Sequence, residues 1–89
     1  MQNVDRFPPQ KEIVEALLAV LELQPQGMHI RDMESGVARY LKLSTALTTK
    51  VQRGKRTVLG YKLAWARTKC RKEGKIEPIS PSKWRLVHK

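Results

Sequence analysis

Five apolar residues, Ile13, Val14, Leu17, Leu18 and Leu21, recur at three- and four-residue spacing between Pro8-Pro9 and Pro25-Gly27. Charged Lys11, Glu12, Glu15 and Glu22 fall mostly on the opposite side. This period predicts an amphipathic helix over 9–23, with one face that must be covered by the rest of the chain. Proline at the first helical positions gives up only donors that would lack partners anyway, and Pro25 with Gly27 stops the run. The cover has to come from an 89-residue chain. That length supports one modest core and leaves little room for an enclosed catalytic pocket. The expected organisation is a polar arm over 1–8 and a single domain over 9–89.

The segments that follow read as shorter elements. Met28 to Ile30 suits a small strand. Residues 31–43 read as a second helix with Met33, Val37, Tyr40 and Leu41 inward, although Gly36 costs about 1 kcal/mol of helix propensity relative to alanine. Ser44 is placed to cap a short third helix reaching about Lys50, with Leu47 and Val51 as apolar anchors. Gln52-Arg53-Gly54-Lys55 reads as a polar, basic turn. A long helix is expected over 56–73, closed by Gly74. On it Leu59, Leu63, Ala66 and Cys70 fall within about 60° of one another and form the core stripe. Tyr61, Ala64, Thr68, Arg71 and Lys72 lie on the far side, with Arg67 and Lys69 on the flanks. Residues 75–79 and 83–88 alternate as strands around the turn Ser80-Pro81-Ser82, which makes a hairpin.

Helix, short strand, helix, helix, hairpin is the chain order of a winged helix-turn-helix. The expected fold class is therefore α+β, mainly helical, with a C-terminal two-stranded wing. The third major helix of that fold is the usual reader of the DNA major groove.

Charge sharpens the expectation. Residues 1–44 carry five bases and six acids, whereas 45–89 carry thirteen bases against Glu73 and Glu77 alone. A near-neutral half followed by a strongly basic one predicts a polyanion-binding surface built from the second half. On the long helix, Tyr61, Arg67, Thr68, Arg71 and Lys72 are the candidates for groove and phosphate contact, arginine being suited to guanine and lysine to phosphate. Arg53, Lys55 and Arg56 lead into the helix N-terminus, where free amides and the helix dipole favour phosphate. Lys83 and Arg85 near the hairpin turn are candidates for backbone or minor-groove contact. Trp65 and Trp84 are assigned to the core or its edge because of the apolar area each offers, on the order of 150–250 Å². Met28 is read as packing in the same sense.

The segment Thr57-Val58-Leu59-Gly60-Tyr61-Lys62-Leu63-Ala64-Trp65-Ala66-Arg67-Thr68, then Lys72-Glu73-Gly74-Lys75-Ile76-Glu77-Pro78 and Trp84-Arg85-Leu86, resembles the N-terminal domain of Mrr-type restriction proteins. These are modification-dependent DNA endonucleases. The likeness covers about 54–87, and over 9–50 it is one of helix order and length. It implies a winged helix that binds DNA and is commonly fused to a separate nuclease domain. The nuclease chemistry of that family needs acidic metal ligands that this stretch does not carry. The expectation is thus a non-catalytic domain that binds double-stranded DNA and targets it for a restriction or defence nuclease in the same or a partner chain. A protein-docking or dimerisation module of the same fold is the alternative, and a second copy of the chain is a further candidate partner.

Other chemistry finds little footing. Cys70 is the single cysteine, so no intramolecular disulfide or multi-thiolate metal site is available, in keeping with a reducing compartment. It reads as a small buried hydrophobe. His29 and His88 have no carboxylate or thiolate company at ligand spacing and read as incidental. Gly54-Lys55 lacks the preceding glycine of a P-loop. No cofactor or metal is expected. No apolar run approaches the ~18 residues of a membrane span. The expected location is cytoplasmic, on the nucleoid.

Overall fold

A computed structural model describes residues 7–53 and 56–87, with backbone alone at 51–53 and 56. In chain order it contains α1 (Gln10–Glu22), β1 (Met28–His29), α2 (Ile30–Tyr40), α3 (Thr45–Thr48), β2 (Val51–Arg53), β3 (Arg56–Thr57), α4 (Val58–Lys72), β4 (Ile76–Ser80) and β5 (Lys83–Leu86). Among the described residues the fold is α+β and mainly helical, with four helices and a three-stranded antiparallel sheet.

Pro9 enters α1 in an extended conformation, and its carbonyl accepts from the amides of Glu12 and Ile13 at 2.9 and 3.3 Å. The apolar face then buries Ile13, Val14, Ala16, Leu17, Val20 and Leu21, while Leu18 is half-buried. Phe7 packs against this core, and the Lys62 ammonium sits 5.6 Å above its ring. Phe7 thus joins the packing from within the segment expected as an N-terminal arm.

His29 starts α2 by accepting the Arg31 amide on Nδ1 at 3.1 Å, so this histidine is a cap. Met33 and Val37 are fully buried against α1. The two helices approach closely at Gly36, where a Cβ would lie 2.8 Å from Val20 Cγ1. Tyr40 corrects the sequence reading. It was expected inward, yet it is 56% exposed. Its partner on α1 would have to lie beyond Val20, and there α1 runs out at Glu22, followed by an exposed Leu23. The result is an open groove lined by Val20, Leu23, Met28 and Tyr40. Leu43, three residues past the end of α2, returns to the core.

Ser44 caps α3 as expected, accepting the Leu47 amide at 3.3 Å, and Leu47 is buried. Of the basic turn expected at 52–55, Gln52 and Arg53 lie instead in β2, while Gly54 and Lys55 lie outside the described residues. Strand β2 pairs antiparallel with β3, Val51 opposite Thr57 and Arg53 opposite Arg56. A bond from the Val58 amide to the Lys50 carbonyl (2.9 Å) closes the base of this pair and leads straight into α4.

In the larger sheet β5 is central, flanked by β1 and β4. Met28 pairs with Trp84, Ile76 with Leu86 and Glu77 with Arg85. Pro78 is tolerated because β4 is an edge strand whose far side needs no donors. Period-two alternation turns Trp84 and Leu86 toward the helices, half-buried beside a buried Ile76, and leaves Lys83 and Arg85 exposed. The core thus lies between α1, α2, α4 and one face of the sheet. Among the described residues no helix is long and apolar enough to cross a membrane.

Candidate nucleic-acid interface

Two local devices set the limits of α4. At its start the Thr57 hydroxyl accepts the Gly60 amide at 2.9 Å and donates to Glu34 Oε1 at 2.5 Å. At its end Gly74 takes φ +74°, a left-handed conformation that glycine adopts without steric cost. There the Gly74 amide donates to the Arg71 carbonyl and the Lys75 amide to the Cys70 carbonyl, at 3.0 and 2.9 Å. This pair of bonds is a Schellman motif, and it ends the helix before the hairpin. Lys69, Arg71 and Lys72 in the last turn complement the negative end of the helix dipole.

Leu59, Leu63, Ala66 and Cys70 are buried as the spacing predicts. The buried stripe is wider than expected, because Arg67 joins it at 9% exposure. Its guanidinium lies 6.0 Å from the centre of the Trp84 ring, and that of Arg71 lies at the same distance. Arg67 was expected to rest its stem on the protein and reach outward. Instead Trp84, turned inward by the strand alternation, covers it. Arg67 therefore joins helix to hairpin and is not part of an exposed contact face. Trp84 is half-buried at the core edge, as its apolar area suggested.

Trp65 is the second correction. Assigned to packing, it is 59% exposed. At about 100° per residue it stands roughly 150° from the middle of the buried stripe, so its position on the helix prevails over its size. Tyr61 (39% exposed), Thr68 and Lys72 share that outward side, with Lys69 next to it. Trp65, Thr68, Lys69, Lys72 and Glu73 line a concavity of about 370 Å³. Along its whole length α4 carries five bases and no acid.

The remaining candidates do not all converge on this face. Arg85 is ion-paired with its cross-strand neighbour Glu77 at 2.7 Å. Lys83 borders a different concavity, with His29 and Asp32. Lys55 lies outside the described residues, and so do the side chains of Arg53 and Arg56. The amino end of α4, expected to attract phosphate, already faces the carboxylate of Glu34 through Thr57. That carboxylate takes the place an anion would favour at the dipole's positive end. Burial pushes the Cys70 thiol up from its ordinary value, Glu73 adds to the shift, and Lys75 and Lys69 oppose it. Among the described residues no group of three or more His, Cys, Asp or Glu is placed to hold a metal ion.

Comparison with known protein families, curated proteins and solved structures finds no match to this chain.

Proposed function

We propose that the chain is a winged-helix domain that binds double-stranded DNA without cutting it, α4 serving as the recognition helix and β4–β5 as the wing. The observation that carries this reading is the outward side of α4, where Tyr61, Trp65, Thr68, Lys69 and Lys72 stand exposed on a helix with no acidic residue. Such a surface neutralises phosphates and offers polar and apolar groups to base edges. The charge imbalance between the two halves of the chain supports the same reading. The resemblance to Mrr-type proteins supplies its biological form, the targeting of DNA for a restriction nuclease in the same or a partner chain. Arg67 leaves the contact set, and Trp65 joins the exposed side of α4.

Replacing Lys69 and Lys72 together by alanine tests the reading. Binding should weaken by the same factor on unrelated duplex sequences, and the salt dependence should fall by about one unit of slope per lysine. An unchanged slope would remove the outward side of α4 from the interface.

Exposed Trp65 and the groove of Leu23 and Tyr40 favour a second reading, a protein-docking module, since aromatic residues anchor protein interfaces. Binding to a protein partner with no salt-dependent DNA affinity would establish that alternative.

A further inference from the structure

We infer that the outward side of α4 engages DNA at a locally unpaired base, which stacks on Trp65. This rests on the DNA-binding reading and narrows it, from duplex in general to duplex interrupted by a gap. The ring of Trp65 is 59% exposed in the middle of α4. Tyr61, one turn earlier, offers a second exposed ring on the same line. The intact major groove presents a recognition helix with base edges only, the π-faces being covered by neighbouring pairs. An indole there gains little. An unpaired base exposes its face, and stacking accepts any base because each has one.

The neighbours of Trp65 suit such a ligand. The concavity of about 370 Å³ beside the ring is lined by Thr68, Lys69, Lys72 and Glu73. Its size falls within the range of small-molecule sites, about 300–1,000 Å³. Lys69 and Lys72, one and two turns further along α4, line the same concavity and supply positive charge for the phosphates of a stacked nucleotide. The Thr68 hydroxyl donates to the Ala64 carbonyl at 3.0 Å and keeps its lone pairs for a base amino group. The Glu73 carboxylate, paired with Lys75 at 3.3 Å, is a second acceptor at the rim. Two lysines beside an aromatic ring also argue against a protein occupant, since lysine is depleted at the centre of protein interfaces.

The test compares an intact duplex with the same duplex carrying a single-nucleotide gap, so that the number of phosphates is nearly equal. Affinities are read by fluorescence anisotropy at one salt concentration. Wild type should bind the gapped DNA about tenfold more tightly, the factor that one stacked base supplies. Its tryptophan emission should be quenched by gapped DNA alone. Trp65→Leu should lose the preference and bind gapped and intact duplex equally, with an unchanged circular dichroism spectrum because the replaced ring is exposed. Trp65→Phe should retain part of the preference. Equal affinity for the two DNAs, or a preference that survives in Trp65→Leu, overturns the inference and leaves duplex binding standing. Failure to bind either DNA overturns the duplex reading and the inference with it.

Discussion

Trp65 and Arg67 stand two positions apart on α4 in opposite environments, the tryptophan 59% exposed and the arginine 9%. Trp65→Ala should therefore leave the melting temperature nearly unchanged. Arg67→Ala should cost about 2 kcal/mol, because it removes a packed stem and the guanidinium against the Trp84 ring. Arg67→Met, which keeps the volume and removes the charge, should stay within about 1 kcal/mol of wild type. Thermal melts of the three variants check this, and a collapse of Trp65→Ala beside a stable Arg67→Ala would reverse the assignment. The helical period contained the Trp65 position, but residue size argued for burial and the period prevailed. The period also put Arg67 beside the core stripe. What it left out was Trp84, a cover supplied from another element almost twenty positions away. Cys70, by contrast, was legible from the stripe alone. Its raised thiol pKa means that the neutral form contributes stability in full below the ordinary thiol range of about 8.5, and that this is lost as pH rises through the raised folded value. A thiol reagent at neutral pH should label Cys70 only as fast as the protein unfolds, and rapid labelling of the native protein would contradict its burial.

At the scale of elements, Gly36 sets two effects against each other. Alanine there would gain about 1 kcal/mol of helix propensity. Its Cβ would also lie 2.8 Å from Val20 Cγ1, a buried branched side chain with little room to give. Overpacking of this kind costs roughly 1–3 kcal/mol, so Gly36→Ala should lower the melting temperature by a few degrees. A rise would mean that α1 and α2 separate without cost. The helices and the larger hairpin were legible because apolar spacing, Ser44, Gly74 and the prolines mark them. The β2–β3 pairing was not, because Val51-Gln52-Arg53 and Arg56-Thr57 show no apolar alternation. Its pairing is held by backbone bonds, such as Val58 to Lys50, that leave no trace in side-chain pattern. Thr57, expected inside the long helix, instead caps α4. The hydroxyl's bond to Glu34, 23 positions away, was not visible.

For the whole molecule, a formal charge of +10 is divided so unequally that the second half of the chain carries more than all of the excess, the first half being net negative. In three dimensions part of that excess is committed internally. Arg67 is buried against Trp84, Arg85 is paired with Glu77, and Lys75 with Glu73. The charge remaining on the outward side of α4 is the basis of the claim that this domain holds duplex DNA, with phosphate neutralisation supplying most of the affinity. The most direct measurement is a titration of wild-type protein with intact duplex DNA over a range of salt concentrations. If about five phosphates are neutralised, log K against log salt should be linear with a slope of roughly −4 to −5. A slope near zero, or no binding at about 50 mM salt, would contradict the account.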